Sequence, residues 1–167
     1  MNLPDRFGVE IITLSDRAYR GEYDDLSGPR IRERLGEFFS EQQWQFVIKT
    51  SLIPDDAVML KGIIQTASLS ADMIFTTGGT GIGPRDITVE TVRPMLDKEI
   101  PGIMEFIRIR YGADKPNALL SRGVAGIAGN ALIYTLPGSL KAVDEYMTEI
   151  LKTLKHTVMM KYGLDVH

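Results

Sequence analysis

Three short apolar runs of strand type alternate with amphipathic segments in the first half of the chain. The runs cover residues 9–14, 44–49 and 74–77 and are rich in β-branched and aromatic side chains. The segments between them carry apolar residues at helical spacing, namely Ile31, Leu35 and Phe39 in the first and Val58, Met59, Ile63 and Ala67 in the second. Because strands and helices alternate, the sequence predicts a parallel sheet with right-handed crossovers.

The second half of the chain predicts a hairpin and a long terminal helix. Gly129 and Asn130 separate two apolar runs, 123–128 and 131–136, and this dipeptide suits a tight antiparallel turn. Ser139 is expected to cap the last helix, whose N-terminus also attracts anions. The expected fold is therefore α/β, with a mostly parallel, mixed sheet and a C-terminal antiparallel hairpin strand.

A glycine-rich loop within residues 73–90 is the strongest functional signal in the sequence. Glycines occupy positions 78, 79, 81 and 83, directly after the third apolar run. Glycine permits positive φ and lets backbone N–H groups approach an anion, whereas a plain turn needs only one or two such residues. Asp86 follows the loop, and Thr88 is expected to cap the next helix. We interpret the loop as a binding site, with a plain turn as the alternative.

The loop does not fit the common nucleotide-binding motifs. A P-loop requires lysine after its last glycine, but Pro84, Arg85 and Asp86 stand there. The dinucleotide fingerprint fails because Pro84 follows Gly81 where a further glycine is needed. The remaining layout is a strand, an amide-lined turn, a cation and a carboxylate, which favours a phosphorylated ligand and its metal ion.

Polar residues also follow the first two apolar runs. Ser15, Asp16 and Arg17 come after the first run, at the carboxyl edge where parallel sheets bind ligands. Alternatively, Asp16 forms a turn and pairs with Arg17 at the surface. Asp55 follows the second run and is expected to be the N-cap of the next helix, a role that explains its carboxylate without any function. The acidic segment 18–27 is a candidate lid.

Composition restricts the classes of function. The 167 residues are 44% hydrophobic and 25% charged, which fits one domain over residues 1–167. A net charge of -3 provides no field for nucleic acid or an anionic membrane, so neither partner is expected. The chain has no cysteine, and His156 and His167 both lie near the C-terminus, which disfavours thiolate and histidine catalysis. Without a signal-type apolar stretch or a long apolar run, the cytoplasm is the expected compartment.

Seven short motifs occur along the chain in a fixed order. They are SDRA (15–18), LIPDD (52–56), TTGGTG (76–81), IGPRD (82–86), EIPG (99–102), LSR (120–122) and LPGS (136–139). Together they resemble the MogA/MoaB family of molybdenum cofactor biosynthesis proteins, related to the G domains of gephyrin and its plant counterparts. The resemblance implies a three-layer α/β sandwich with helices on both faces of the sheet. It also implies a homotrimer that uses ATP and Mg²⁺ to adenylylate molybdopterin, ahead of a downstream molybdenum-insertion protein.

The resemblance also implies roles for individual residues. Asp55 and Asp86 fall on the family's essential carboxylates, as catalytic groups and as ligands of Mg²⁺. The glycine amides would hold a phosphate or the adenylate, and polar groups at the strand ends would contact the pterin. The implied substrate-binding residues are Ser15, Asp16, Gly78, Gly79, Thr80, Gly81, Arg85, Ser121, Pro137, Gly138 and Ser139. Arg108, Arg110 and Tyr111 are expected at the subunit surface.

Two branches of this family imply different functions. An Arg-Asp pair ending at Asp86, together with Asp16 in SDRA, is typical of the MogA-like adenylyltransferases. Segments 21–25 and 136–139 are closer to the MoaB-like branch, as is Val89, where MogA-like chains often have proline. The preferred interpretation is an adenylyltransferase, and the alternative is a non-catalytic trimer that binds the pterin. A response-regulator receiver is disfavoured because the third strand ends in threonines and lacks a phosphoacceptor aspartate.

Overall fold

A six-stranded sheet runs through the described part of the chain, which is residues 2–164 of the computed structural model. Met1 and residues 165–167, among them His167, lie outside this description. The strands are β1 (Phe7–Leu14), β2 (Phe46–Ile53), β3 (Met73–Thr77), β4 (Lys98–Glu99), β5 (Ala125–Ala128) and β6 (Ala131–Leu136). Their order across the sheet is β2-β1-β3-β6-β5-β4.

In the described sheet five strands, β2, β1, β3, β6 and β4, run in one direction, and β5 runs against them. β1 pairs in parallel with both β2 and β3, and β3 pairs in parallel with β6. β5 pairs antiparallel with β6 and with β4, and the two residues Gly129 and Asn130 connect β5 to β6. The predicted α/β fold with a mostly parallel, mixed sheet and a C-terminal hairpin is therefore confirmed.

Helices cover both faces of the sheet and make three layers. They are α1 (Asp16–Tyr19), α2 (Ser27–Glu41), α3 (Ala57–Ala67), α4 (Thr88–Val92), α5 (Pro101–Gly112) and α6 (Leu140–Lys161), with 3-10 turns at Arg93–Met95 and Pro116–Leu120. One core packs α2, α5 and α6 against the sheet, and the other packs α3 and α4 against the opposite face. Among the described helices, none is both long enough and apolar enough to cross a membrane.

The buried side of α3 differs from the predicted one. Val58 is 83% exposed and Met59 is 43% exposed, whereas Leu60 and Ile64 are fully buried. Leu60, Ile64 and Ala67 lie at i, i+4 and i+7, which places them on one face of the helix, against the sheet. Two apolar sets compete in this segment, and contact with the sheet decides between them. The predicted stripe was wrong for Val58 and Met59.

Strand β2 begins and ends later than the predicted run at 44–49. Trp44 lies before the strand, where its ring stacks on Phe7 at a centroid distance of 4.7 Å. Eight residues of β2 then pair with β1, from Phe46 opposite Phe7 to Ile53 opposite Leu14. Pairing with the neighbouring strand, and not local hydrophobicity, sets these bounds. The strand consequently ends two residues before Asp55.

The parallel strands end at the same edge of the sheet. Leu14 pairs with Ile53, Thr13 with Thr77, and Thr77 with Leu136, so the ends of β1, β2, β3 and β6 lie side by side. The loop after each strand therefore begins at this edge, which is where ligands bind in open α/β sheets.

Candidate functional site

A cleft of about 920 Å³ lies at the carboxyl edge of the sheet. It is formed by the loops that follow β1, β2, β3 and β6, together with the acidic segment before α2. The predicted site residues that line it are Ser15, Asp16, Asp55, Gly78, Gly79, Thr80, Gly81, Arg85, Asp86, Ser121, Pro137 and Gly138. Ser139 does not line the cleft, because it caps α6 by accepting a hydrogen bond from Ala142 N at 3.3 Å.

The two adjacent aspartates after β2 have different partners. Asp56, not Asp55, is the N-cap of α3, because Asp56 Oδ1 accepts a hydrogen bond from Met59 N at 2.8 Å. The prediction of Asp55 as the cap was therefore wrong. Asp55 instead exchanges two hydrogen bonds with Asp16: Asp16 N donates to Asp55 Oδ2 at 3.1 Å, and Asp55 N donates to Asp16 Oδ1 at 3.0 Å. The helix start is satisfied by one carboxylate, and the other lines the cleft.

Asp16 also holds the arginine that precedes Asp86. Arg85 Nε donates to Asp16 Oδ2 at 2.9 Å, and Arg85 Nη2 donates to Asp16 Oδ1 at 2.8 Å, in a two-pronged ion pair. The alternative pairing of Asp16 with Arg17 is not formed, since Arg17 pairs with Glu22 at 3.3 Å. Both oxygens of Asp16 accept hydrogen bonds from within the protein.

The carboxyl groups of Asp55 and Asp16 respond to the cleft in opposite ways. Burial raises the pKa of Asp55, and the negative charges of Asp16 and Asp86 add to this effect. The hydrogen bond from Asp55 N, followed by the contacts with Arg85, lowers the pKa of Asp16. Asp55 is thus a partly buried carboxylate in an acidic neighbourhood, an environment in which a bound cation would be stabilised.

Two glycines at the start of the loop have backbone conformations that other residues rarely adopt. Gly78 has φ of +102° and Gly79 has φ of +66°. A Cβ on Gly78 would lie 2.2 Å from Leu14 O, and one on Gly79 would lie 2.4 Å from Thr88 Oγ1. Thr88 is fully buried and its hydroxyl donates to Gly78 O at 2.8 Å. The prediction that Thr88 caps α4 was wrong, because the N-cap position is Ile87. The Thr88 hydroxyl instead binds the backbone of the glycine loop.

Asp86 closes a tight turn at the end of the glycine loop. Gly83 N donates to Asp86 Oδ2 at 2.7 Å, and Asp86 N donates to Gly83 O at 3.0 Å. Gly81 lies against the same carboxylate, since a Cβ there would be 2.8 Å from Asp86 Oδ2. The absence of side chains at Gly81 and Gly83 therefore leaves room for the Asp86 carboxylate, which remains at the surface of the cleft.

Arg122 is a structural residue of the loop that the sequence analysis missed. Its Nε donates to Gly81 O at 2.8 Å, its backbone N donates to Thr80 O at 2.9 Å, and its guanidinium pairs with Glu90. The adjacent Ser121 contacts Thr80 through their hydroxyl oxygens, 3.2 Å apart. The LSR motif includes this arginine, but only the fold shows that Arg122 donates hydrogen bonds to the backbone of the glycine loop.

The acidic segment 18–27 is held beside the cleft by hydrogen bonds. Asp25 accepts hydrogen bonds from Thr13 Oγ1 at 2.7 Å and from the backbone N of Ser27 at 3.0 Å, so it links β1 to the first residue of α2. The Tyr23 hydroxyl lies 2.8 Å from Ser15 Oγ, and Ser27 Oγ donates to Gly138 O at 2.8 Å. The segment was predicted from its sequence as a candidate lid, but the contacts of Tyr23 and Asp25 were not predicted.

The donor set fits a hard divalent cation that arrives with phosphate groups. Asp55 and Asp86 each bind the protein through Oδ2, and Oδ1 of each accepts no hydrogen bond from a described residue. Within residues 2–164 no group of three or more metal-binding side chains is close enough to hold an ion alone. Mg²⁺ commonly uses one or two carboxylates and completes its shell with phosphate oxygens and water. Asp55 and Asp86 are suited to that arrangement.

Known proteins share this fold and much of this sequence. The molybdenum cofactor synthesis protein cinnamon of Drosophila melanogaster is 38% identical over 162 residues, which are 96% of this chain and 26% of that protein. The chain thus spans about a quarter of that relative's length. A molybdopterin adenylyltransferase of Pyrococcus furiosus is 33% identical over 162 residues, which are 92% of each protein.

A solved structure and a family model agree with these relatives. The crystal structure of the molybdopterin biosynthesis enzyme MoaB from Thermus thermophilus superposes with a TM-score of 0.83 and 39% identity, covering 94% of this chain and 97% of that one. The family model described as a probable molybdopterin binding domain matches residues 10–156. The chain therefore belongs to this family of molybdopterin-binding domains, as its resemblance to MogA and MoaB implied.

Proposed function

We propose that the protein is a molybdopterin adenylyltransferase, which transfers AMP from ATP to the terminal phosphate of molybdopterin and releases pyrophosphate. The observation that carries this proposal is the pair Asp55 and Asp86, which line one glycine-lined cleft in a molybdopterin-binding family and whose Oδ1 atoms accept no hydrogen bond from residues 2–164. The relative of Pyrococcus furiosus, which is named for this activity and matched over 92% of its length, supports the reaction type. It favours the enzyme over a non-catalytic pterin-binding protein.

The charge of the cleft supports a requirement for Mg²⁺. Among the described residues, its charged lining consists of the aspartates at 16, 24, 25, 55 and 86 and the arginines at 17, 20 and 85. The arginines are already paired with acidic groups, since Arg17 and Arg20 bind Glu22 and Arg85 binds Asp16. A cleft with this acidic excess repels a free triphosphate, but it accepts a nucleotide whose charge is offset by a divalent cation.

The chain's own groups position and stabilise the reacting phosphates. The reaction forms a bond from a phosphate oxygen of molybdopterin to the α-phosphorus of ATP and breaks the bond from that phosphorus to the pyrophosphate oxygen. Backbone N–H groups of the loop 78–81 are suited to donating to phosphate oxygens, and Asp55 and Asp86 to holding the cation. Mg²⁺, when bound, neutralises phosphate charge and orients the leaving group. Orientation and electrostatics would supply the rate enhancement, with no covalent nucleophile.

The proposal includes a homotrimer that works in the cytoplasm and passes its product to a molybdenum-insertion protein. The predicted subunit residues Arg108 and Arg110 contact their own chain, through Gly123 O and Glu149, and Tyr111 also binds Glu149. Ile109, between the two arginines, is 70% exposed, and Phe106 on the same helix α5 is 52% exposed. An exposed apolar face of this kind supports a subunit contact on α5.

The decisive experiment measures pyrophosphate release with purified molybdopterin, ATP and Mg²⁺. We expect turnover by the wild-type protein and a loss of at least about a hundredfold in Asp86→Asn, because the charge is removed while an oxygen remains to accept from Gly83 N. Asp144→Asn is the matched control, since Asp144 pairs with Arg30 and Arg34 and does not line the cleft. Binding of molybdopterin without any pyrophosphate release by the wild type would contradict the proposal and identify a pterin-binding protein.

A further inference from the structure

Asp16 contacts both loops that carry the proposed catalytic carboxylates. Its Oδ1 accepts hydrogen bonds from Asp55 N at 3.0 Å and Arg85 Nη2 at 2.8 Å, and its Oδ2 accepts from Arg85 Nε at 2.9 Å. Oδ1 therefore has no lone pair left for a substrate unless one of its two bonds breaks. These contacts favour a structural role for Asp16 over the direct pterin contact that the resemblance implied.

On one side, Asp16 fixes the loop that carries Asp55. The two residues are 39 positions apart and follow different strands, yet each donates its backbone N–H to the other's carboxylate. This reciprocal pair holds Asp55 by its backbone and by Oδ2, which leaves Oδ1 of Asp55 without a partner among the described residues. The orientation of the Asp55 carboxylate is therefore coupled to the position of Asp16.

On the other side, Asp16 fixes the turn that carries Asp86. Arg85 directly precedes Asp86, its side chain is 64% exposed, and within the described chain its ion pair and side-chain hydrogen bonds go to Asp16 alone. A two-pronged arginine–carboxylate pair restrains both distance and orientation. Without Asp16, the end of the glycine loop would lose its side-chain link to the ends of β1 and β2.

We propose that Asp16 is a positioning residue, which sets the separation of Asp55 and Asp86 by holding the first through its backbone and the second through Arg85. This role rests on the proposed adenylyl transfer at the same cleft. An exposed ion pair of this kind contributes little to the free energy of unfolding, so its effect is on geometry and not on overall stability. The link predicts that Asp16 and Arg85 act as one unit in catalysis.

A double-mutant cycle on pyrophosphate release tests this unit. Asp16→Asn keeps the size of the side chain and an acceptor for Asp55 N, but it removes the charge that pairs with Arg85. Arg85→Gln removes the guanidinium from the same ion pair. We expect each variant to lower kcat by at least about tenfold, with KM for ATP and for molybdopterin within about threefold of the wild type. The double variant should be no slower than the slower single variant, because both changes break the same link. Asp144→Asn, which breaks an aspartate–arginine pair outside the cleft, should retain wild-type kinetics.

Several results would overturn the positioning role. A higher KM for molybdopterin with unchanged kcat in Asp16→Asn would mean direct substrate contact, and multiplicative losses in the double variant would mean independent roles. Wild-type kinetics in Asp16→Asn would mean that the residue has no part in the reaction.

Crystal structures of the wild type and Asp16→Asn provide a readout that does not depend on activity. We expect the turn 83–86 to move relative to Asp55 in the variant. If Asp55, Arg85 and Asp86 kept their wild-type positions, the proposal would be wrong even if adenylyl transfer were confirmed. If the wild type released no pyrophosphate but the turn moved, the proposed function would fail and the link between the two loops would remain.

Discussion

Asp55 and Asp56 are neighbours in sequence, but only Asp56 caps α3. Asp56 Oδ1 accepts from Met59 N at 2.8 Å, while Asp55 faces the cleft and exchanges hydrogen bonds with Asp16. A carboxylate that caps a helix and a carboxylate that is proposed to be catalytic are therefore adjacent in the chain. Capping the helix therefore does not occupy the group that is proposed to bind the cation.

This separation predicts opposite phenotypes for the two aspartates. Asp56→Ala should lower the free energy of unfolding by about 1 kcal/mol, because Met59 N loses its acceptor, and should leave turnover within about threefold of the wild type. Asp55→Asn should reduce pyrophosphate release by at least about a hundredfold without lowering stability. Chemical denaturation and the pyrophosphate assay on both variants measure stability and turnover. A greater loss of turnover in Asp56→Ala than in Asp55→Asn would mean that Asp56, and not Asp55, is the catalytic carboxylate.

The raised pKa of Asp55 predicts a pH-dependent gain of stability in Asp55→Asn. A raised pKa means that the folded state binds the proton more tightly than the unfolded state does. This stabilisation is complete below the unfolded value of about 4 and is lost as the pH rises through the folded pKa, so the ionised carboxylate weakens the fold at neutral pH. The variant carries no such charge. It should be more stable than the wild type at pH 7, by less than about 1 kcal/mol because the group is partly exposed, and equally stable at pH 3.

Urea denaturation at both pH values tests this prediction. Asp56→Asn is the matched control, because it makes the same change in a neighbouring residue that caps α3. A variant Asp55→Asn that was less stable than the wild type at pH 7 would show that its hydrogen bonds outweigh the cost of burial.

Alanine substitutions at Gly79 and Gly81 should affect different properties. Gly79 has positive φ, and an added Cβ would meet the buried Thr88 hydroxyl at 2.4 Å, so Gly79→Ala should lower the free energy of unfolding by about 2 kcal/mol. An added Cβ on Gly81 would instead press on the Asp86 carboxylate at 2.8 Å. Gly81→Ala should therefore lower kcat by at least about tenfold and stability by less than about 1 kcal/mol. Thermal denaturation and turnover assays on both variants test this prediction. Unchanged turnover in Gly81→Ala would mean that the contact between position 81 and the Asp86 carboxylate does not affect catalysis.

The proposed trimer predicts a mass of three chains of 18.6 kDa, about 56 kDa, in light scattering. Ile109→Glu should shift the mass toward the monomer, because it places a charge on the exposed apolar side of α5. Val58→Glu is the control, because Val58 is a still more exposed apolar residue, at 83%, and lies on α3. A wild-type mass near 18.6 kDa would exclude the trimer, and an unchanged mass in Ile109→Glu would place the contact on another surface.

Local signals in the sequence determined most of the element order, but not α1 or β4, and part of the candidate site. The β-branched runs, the glycines at 78 and 79 and the Gly129-Asn130 turn each act over a few residues, and they predicted β1, β3 and the β5–β6 hairpin. Asp86 was found in the same way, because it follows the glycine loop, whereas local signals predicted only a helix cap at Asp55 and the family resemblance gave it a functional role. Parallel pairing then brings them to one edge of the sheet, as expected for strands that share a direction.

Only the tertiary structure decided which of several local options was used. Contact with the sheet selected the buried face of α3, and pairing with β1 set the bounds of β2. Asp16 had a plausible local partner in Arg17, but it binds Asp55 and Arg85, which are 39 and 69 positions away. Such contacts depend on distances that chain spacing does not encode. Local sequence signals therefore predicted which loops form the site. The hydrogen-bond partners within it depend on how the sheet brings those loops together.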